Sequence, residues 1–130
     1  MKTTYKSPKV IAEIGCNHKG EIELAKELIK VAANSGVEVV KFQKRNNKEL
    51  LTVEQYNTPH PNPMHSYGDS YGAHREFLEF DVVQHQELKE YAESLGLIYS
   101  TSVWDTSSAK EIVSLNPVFI KVPSACNNHF

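Results

Sequence analysis

Short apolar runs alternate with amphipathic stretches along the chain, and this pattern predicts four β-strands separated by helices. The strands are predicted at 8–15, 37–43, 97–102 and 118–122, each bounded by glycine, proline or polar turn residues. The run at 37–43 is almost continuously apolar, which is typical of a parallel strand buried on both faces. We expect the fourth strand to be buried as well, with one lysine in it.

Three helices are predicted between these strands from apolar residues at helical spacing. The first covers 21–35, the second begins after Asp81 as N-cap, and the third is capped by Asp105 or Thr106. A glycine follows each of the first two and supplies a C-terminal stop. The positions expected to face the core are Ile22, Ala25, Leu28, Ile29, Ala32 and Ala33 in the first helix, Leu88, Tyr91, Ala92 and Leu95 in the second, and Ala109, Ile112 and Val113 in the third.

Residues 44 to about 73 interrupt this alternation. The segment is polar, and it contains Pro59, Pro61 and Pro63 together with several tyrosines. A connection this long inside a compact domain is expected to be either a functional loop or a disordered one. The tyrosines and the lack of low-complexity repeats favour an ordered loop that covers part of the molecule.

The order of the elements predicts right-handed crossovers and a parallel sheet. An open doubly wound sheet and a (β/α)8 barrel both satisfy this order. No G-x-G-x-x-G sequence follows the first strand, so a dinucleotide-binding sheet has no support. We expect the α/β fold of the first half of a (β/α)8 TIM barrel, with about four parallel strands. Because 125–130 resembles the opening of another element, we expect a truncated chain that stops in the turn after the fourth strand.

Composition narrows the class of protein further. A chain of 130 residues is one domain's worth, and a formal charge of −2 argues against a dedicated nucleic-acid binder. The sequence contains no apolar run of membrane-spanning length and no apolar stretch typical of a signal peptide, so we expect no membrane partner. Cys16 and Cys126 have no metal-binding spacing and are expected to be reduced thiols in a cytoplasmic protein.

Polar residues at the ends of the predicted strands indicate an anion site. In a parallel barrel the carboxyl ends of the strands carry the reacting groups. Two lysines at one rim are costly to desolvate unless an anion accompanies them, and neighbouring hydroxyls favour a phosphate or a carboxylate. The residues at these ends are Glu13, Lys41, Gln43, Ser100, Thr101, Ser102, Lys121 and Ser124.

Plainer explanations exist for individual members of this set. A single lysine at a strand end also fits a surface ion pair, and Glu13 also fits a simple partner for Lys41. If Glu13 is functional, it would accept hydrogen bonds from a polyol or carry a proton. The histidines lack the spacing of a metal site, and His18 is expected in a surface loop in preference to the pocket lining.

Four stretches of the chain resemble the N-terminal half of the sialic acid synthase family. They are I-A-E-I-G-C-N-H-K-G at 11–20, V-V-K-F-Q at 39–43, Y-S-T-S at 99–102 and I-K-V-P-S at 120–124. The family contains N-acetylneuraminate synthases and their legionaminic and pseudaminic acid relatives. The first two stretches together are specific to the family, whereas the later two are supportive.

The resemblance implies an enzyme that condenses phosphoenolpyruvate with an N-acetylated sugar aldehyde, such as N-acetylmannosamine, to a nine-carbon 2-keto sugar acid and phosphate. A divalent metal, Mn or Mg, would hold the aldehyde oxygen while C3 of phosphoenolpyruvate attacks the carbonyl carbon. The positions that match phosphoenolpyruvate-binding residues are Lys41, Thr101, Lys121 and Ser124. Glu13 and Gln43 match positions that face the sugar, and Glu13 is also the candidate catalytic residue.

Two departures from the family limit what this chain is expected to do. The residues after Ser124, Ala125-Cys126-Asn127, include no acidic proton carrier. The metal-binding histidines of the family lie on later strands and its antifreeze-like domain follows the barrel, so 1–130 is expected to form only the N-terminal part of the synthase domain. We expect no metal ligand in the chain and no activity from the chain alone.

Three interpretations remain open at this point. The chain belongs to a sialic acid synthase, to another phosphoenolpyruvate-condensing aldol-type synthase on the same kind of barrel, or to a non-catalytic half-barrel. In the third interpretation the half-barrel persists only by self-association or as a remnant. For the chain alone, two exposed sheet edges predict aggregation or a homodimer. The partners expected otherwise are the two small-molecule substrates.

Overall fold

The computed structural model describes residues 6–128, which form a single parallel sheet of four strands with helices between them. The strands are β1 (Ile11–Gly15), β2 (Val39–Lys44), β3 (Ile98–Val103) and β4 (Ile120–Lys121), and they lie in the sheet in sequence order. In a doubly wound sheet the strands are parallel but do not lie in sequence order, because the strand order reverses at one point. The unreversed order is that of a barrel wall, so the predicted fold class is supported.

Helices occupy every connection between the strands. They are α1 (Ile22–Asn34), α2 (Asn47–Leu50), α3 (Val53–Asn57), α4 (Tyr71–Phe77), α5 (Val82–Ser94) and α6 (Thr106–Ser114). The side chain of Asp81 accepts from the backbone N–H of Gln84, and the Gln84 side chain accepts from the Asp81 N–H in return. Asp105 caps α6, because its carboxylate accepts from the backbone N–H of Ser108 at 2.7 Å. The three helices predicted from periodicity are therefore confirmed.

The apolar core lies between the sheet and α1 and α5. Val40 and Phe42 of β2 and Tyr99 of β3 contribute from the sheet, and Ile29 and Leu88 contribute from the helices. Burying such side chains is the main stabilising contribution to a fold of this size. The core also fixes which face of each strand remains on the opposite side of the sheet.

Two core positions predicted from helical spacing are wrong. Leu95 is 40% exposed because it lies at the C-cap of α5, beyond the last full turn, and Leu97 enters the core in its place. Val113 is 56% exposed because α6 turns Ser108 and Ile112, one helical turn apart, toward the protein interior. In both helices the predicted helical spacing is correct, but the predicted core-facing side includes one residue too many.

The polar segment after β2 is ordered, as predicted, although it is not a plain loop. It contains α2, α3, α4 and a 3-10 turn (Pro63–His65). A Cβ at Gly72 would lie 2.3 Å from ring atoms of Tyr56, so α4 packs against α3 only because position 72 lacks a side chain. We call 45–80 the inserted segment.

The fourth strand differs from its prediction in length and burial. Only Ile120 and Lys121 pair with β3, and Val118 and Val122 are 74% and 58% exposed. Residues 124–126 form a 3-10 turn, and the last two residues of the element expected at 125–130 lie outside the described part of the chain. The expectation of a buried fourth strand is wrong because, within residues 6–128, nothing covers its outer edge. No helix within residues 6–128 is long and apolar enough to cross a membrane.

Candidate functional site

The sheet has two faces, and the predicted site residues lie mainly on the face turned away from α1 and α5, which we call the inner face. In β2, Val40 and Phe42 point into the core, so the alternating Lys41 and Gln43 belong to the inner face. Parallel pairing places Glu13 and Ser100 on either side of Lys41. The same register places Ser102 between Gln43 and Lys121.

Lys41 is the centre of this group. It is 5% exposed, its Nζ donates to Ser102 Oγ at 3.2 Å, and it forms an ion pair with the Glu13 carboxylate. Burial and, to a smaller extent, the positive charge of Lys121 together lower the pKa of the Lys41 ammonium to about 8. Because a pKa of about 8 still leaves most of the amine protonated at neutral pH, an anion placed between the two lysines would relieve their repulsion.

Gly15 allows the side chains of Glu13 and Gln43 to lie close to the backbone at the end of β1. Its φ of +59° is a left-handed conformation that glycine adopts without strain. A Cβ at this position would lie 3.0 Å from Gln43 Nε2 and 3.6 Å from Glu13 Oε1. The carboxamide and the carboxylate therefore lie close together beside Gly15, as one hydrogen-bond donor and one acceptor.

The structure corrects the assignment of Thr101. Its side chain is fully buried on the opposite face, where its hydroxyl donates to the Tyr99 hydroxyl at 2.9 Å. The hydroxyl that reaches Lys41 belongs to Ser102, the next residue along β3. Strand alternation contained the signal, because Ser102 and Lys41 share a face only if Thr101 does not.

The remaining predicted residues have different surroundings. Lys121 is exposed at the end of β4 and lies beside Ser102 in the register. Ser124 begins the 3-10 turn after β4 with an exposed side chain, and within residues 6–128 no hydrogen bond joins its hydroxyl to Lys41 or Lys121. Ser100 is buried and donates to the Phe119 carbonyl at 3.0 Å, which is a structural contact between neighbouring strands.

His18 is not a surface residue, contrary to expectation. It is 2% exposed and stacks on Phe80 with 4.0 Å between ring centroids. Its Nδ1 accepts from the backbone N–H of Gly20 at 3.1 Å, and burial lowers the pKa of the imidazole to about 4. His18 thus anchors the turn between β1 and α1 as a neutral side chain.

Arg45 is a component that the sequence analysis did not identify. Its guanidinium donates to the Gln43 side-chain oxygen and to Glu79 Oε1 at 3.5 Å, and its backbone N–H donates to Glu79 Oε2 at 3.0 Å. The guanidinium also lies 4.2 Å from the centre of the Trp104 ring. Burial raises the pKa of Glu79 to about 7 despite the neighbouring arginine. Since Arg45 binds the Gln43 oxygen, the amide nitrogen of Gln43 is left to face the space above Gly15.

The described residues do not fit a metal centre. Within residues 6–128 no group of three or more histidine, cysteine, aspartate or glutamate side chains is placed to hold a metal ion. Divalent metals of the expected kind need several oxygen or nitrogen ligands. The chemistry available from these residues is therefore anion binding, hydrogen bonding and proton transfer.

Comparison with known proteins identifies the family to which the chain belongs. The model of the NeuB family matches residues 28–130, which include Lys41, Gln43, Ser102 and Lys121. N-acetylneuraminate-9-phosphate synthase from Homo sapiens is 36% identical over 121 residues, covering 93% of this chain and 33% of that protein. N,N'-diacetyllegionaminic acid synthase from Campylobacter jejuni is 31% identical over 119 residues, covering 92% of this chain and 36% of that protein. The chain spans about a third of the length of these curated relatives.

A solved structure is similar in fold. The N-acetylneuraminic acid (sialic acid) synthetase from Leptospira borgpetersenii superposes with a TM-score of 0.71 at 23% identity, covering 92% of this chain and 38% of that chain. The four parallel strands with alternating helices match the N-terminal half of that enzyme's barrel. This agreement bears out the predicted fold class.

Proposed function

This chain belongs to the NeuB family, and from that premise we propose that it supplies the phosphoenolpyruvate-binding part of a sialic acid synthase-type catalytic site. The reaction is the condensation of phosphoenolpyruvate with an N-acetylated sugar aldehyde, N-acetylmannosamine or a relative, to a nine-carbon 2-keto sugar acid and phosphate. The names of the relatives support a sialic acid synthase-like enzyme. The choice of substrates is our proposal.

One observation carries the proposal most directly: Lys41 is buried on the inner face, bonded to Ser102, and close enough to Lys121 for its pKa to be lowered. Glu13 is paired with Lys41, but the positive charge of Lys121 still repels the Lys41 ammonium, and a second anion would relieve that repulsion. Phosphoenolpyruvate carries a carboxylate and a phosphate, so one molecule can satisfy both lysines. Ser102 supplies a hydroxyl donor there, and Ser124 is the candidate for a second one.

The sugar would lie beside this anion, over Gly15. Gln43 presents its amide nitrogen as a hydrogen-bond donor, because Arg45 binds the amide oxygen. Glu13 accepts hydrogen bonds from sugar hydroxyls and is the candidate proton carrier, since its side chain is half exposed and reaches Lys41. We propose Mn or Mg for the complete enzyme, held by residues outside this chain.

The test compares two substrates in the enzyme that carries this chain within a complete barrel. Lys121→Ala is expected to weaken the use of phosphoenolpyruvate by about 1.5–3 kcal/mol, because it removes one charge-assisted contact, while the KM for the sugar changes little. Lys110→Ala on α6 is the matched control, since Lys110 is exposed and distant from the inner face. Unchanged phosphoenolpyruvate kinetics in Lys121→Ala would reject the assignment.

The isolated chain gives a second test. Mixed with phosphoenolpyruvate, N-acetylmannosamine and manganese, it is expected to release no phosphate above the blank, because within residues 6–128 no metal-binding group is present. Clear turnover would contradict this expectation and show that the half-site suffices.

We further propose that the isolated chain forms a homodimer and that the protein is cytoplasmic. Val10 and Ile11 at one edge of the sheet and Val118 and Val122 at the other are exposed, which is typical of strand edges that pair. The free thiols of Cys16 and Cys126 fit a reducing compartment. Light scattering tests the dimer, and a monomer at every concentration would contradict it.

A further inference from the structure

The inserted segment is the feature of the chain that the proposed function leaves without a role. None of the residues assigned above to phosphoenolpyruvate or to the sugar belongs to it. Its two ends nevertheless meet, because Glu79 is bonded to Arg45, the residue that opens the segment. The backbone N–H of Arg45 donates to Glu79 Oε2 at 3.0 Å, and the guanidinium donates to Oε1 at 3.5 Å. Both carboxylate oxygens of Glu79 therefore bind the residue that directly follows β2.

Glu79 is held in place by its neighbours in the sequence. Leu78 and Phe80, on either side of it, are buried, and Phe80 stacks on His18 with 4.0 Å between ring centroids. The side chain of Glu79 is itself only 10% exposed. Because both flanking side chains are fixed in the protein interior, the carboxylate cannot turn into solvent. It is a rigid anchor for Arg45.

The guanidinium of Arg45 is held from several sides. Its central carbon lies 4.2 Å from the centre of the Trp104 ring, and its Nη1 donates to Glu79 and, at 3.7 Å, to Cys16 Sγ. Its Nη2 donates to the side-chain oxygen of Gln43. The donors of a guanidinium lie in one plane at fixed angles, so fixing one nitrogen directs the other. Glu79 thus helps to aim Nη2 at Gln43.

This contact decides which way round the Gln43 carboxamide lies. A glutamine amide has an acceptor oxygen and a donor nitrogen of nearly the same shape, and only its partners distinguish the two orientations. Because a guanidinium contains donors and no acceptor, Arg45 can bond only the oxygen. The nitrogen is then turned toward Gly15, where an added Cβ would lie 3.0 Å from it and 3.6 Å from Glu13 Oε1.

We propose that Arg45 and Glu79 are positioning residues of the sugar site, which hold the Gln43 carboxamide so that its nitrogen, and not its oxygen, faces the sugar. The inference rests on the proposed function, because that function places the sugar at Gln43. It gives the inserted segment a role in substrate selection through a side chain of β2. A sugar group that accepts a hydrogen bond at Gln43 is favoured over one that can only donate.

The test uses the enzyme that carries this chain within a complete barrel, with the second substrate at saturation. Glu79→Gln keeps the shape of the side chain and removes the charge that holds the guanidinium. Arg45→Lys keeps the positive charge and loses the second donor nitrogen. Each variant is expected to raise the KM for N-acetylmannosamine about 3- to 10-fold, as for one hydrogen bond, and to leave the KM for phosphoenolpyruvate unchanged. An equal rise in both KM values, or a rise in neither, would overturn the inference.

Glu111→Gln on α6 is the matched control. Glu111 is paired with Lys44 at 3.1 Å, and Lys44 lies between Gln43 and Arg45 in the sequence. Strand alternation places Lys44 on the face toward the helices. The control therefore neutralises the carboxylate of a neighbouring ion pair without touching Gln43, and both KM values should equal those of the wild type. A sugar KM raised as much as in Glu79→Gln would contradict the positioning role.

A double-mutant cycle separates positioning from a general loss of stability. If Glu79 acts through Gln43, then Glu79→Gln added to Gln43→Ala raises the sugar KM no further, because the side chain that it orients is absent. A further rise of the same size in the double variant would show that Glu79 acts on the fold as a whole, and the inference would be wrong.

The outcomes also separate this inference from the proposed function. If the wild-type enzyme turns over no N-acetylated sugar, the proposed function is rejected, and the orientation of the amide decides whether Arg45 and Glu79 position Gln43. NMR of protein with isotope-labelled glutamine detects the contact between the Gln43 amide protons and the Hα protons of Gly15. A weaker contact in Glu79→Gln than in the wild type supports positioning, and equal contacts overturn it.

Discussion

The two faces of strands β2 and β3 bury side chains of opposite polarity. On the face toward the helices, Val40, Phe42 and Tyr99 are apolar and buried. On the inner face, at the alternate positions of the same strands, Lys41 and Ser102 are also buried but polar. Both faces have the same backbone and nearly the same burial, so burial does not distinguish them. The polarity of their side chains does.

The difference identifies which face was selected for stability. Apolar burial stabilises the fold in proportion to the area removed from water. A buried lysine makes the opposite contribution, because its ammonium loses hydration that Ser102 and a half-exposed Glu13 replace incompletely. The inner face thus costs stability, and the anion binding proposed above accounts for that cost.

The largest expected effect is on the face toward the helices. Phe42→Ala should lower the free energy of unfolding by about 3–5 kcal/mol, because the ring is fully buried and stacks on Tyr99 with 5.8 Å between centroids. Urea denaturation at one fixed protein concentration measures the change. Gln43→Ala, the next residue on the other face, is the matched control and is expected to lose less than about 1 kcal/mol. Equal losses in both variants would show that the two faces are not energetically distinct.

Much of this contrast was predictable from the sequence, and the limits have physical causes. Helices α1, α5 and α6 and the first three strands follow from apolar spacing, and Lys41 and Gln43 were identified because they end an apolar strand. Thr101 was assigned from the family resemblance, and only the register of β3 against β2 shows which of the three adjacent hydroxyl residues, 100–102, share a face with Lys41. Arg45 was missed because its role depends on Glu79 and Trp104, which are distant in sequence.

The second expected effect separates binding from stability on the inner face. Lys41→Met should weaken binding of phosphoenolpyruvate by about 2–5 kcal/mol while leaving the free energy of unfolding unchanged or slightly higher. The thioether fills similar volume and removes the desolvation penalty of the ammonium. Calorimetric titration and urea denaturation give the two quantities, with Lys30→Met on α1 as control. A variant that loses stability and keeps its affinity would assign Lys41 to structure.

The third expected effect compares neighbours on opposite faces of β3. Thr101→Val should lower the free energy of unfolding by about 1–3 kcal/mol, because the buried Tyr99 hydroxyl loses the hydrogen bond that Thr101 donates. The same hydroxyl is also hydrogen-bonded to His85. Ser102→Ala should leave stability nearly unchanged and weaken phosphoenolpyruvate binding by about 1 kcal/mol. The same two measurements check both variants. If Thr101→Val reduced binding and Ser102→Ala did not, the correction of the site residue would be wrong.

The smallest expected effect is a pH dependence that belongs to the inner face alone. Burial sets the pKa of Lys41 at about 8, below its ordinary value, so the amine loses its charge as the pH rises through that value. Phosphoenolpyruvate should bind the protonated form, and its affinity should therefore fall about tenfold between about pH 7 and about pH 9. The sign for stability is opposite: between about pH 8 and the unfolded pKa of 10.5 the unfolded chain holds more protons, so the contribution of Lys41 to stability rises with pH. Lys41→Arg keeps its charge throughout this range and should abolish the loss of affinity. An affinity that falls equally in both proteins would place the titrating group elsewhere.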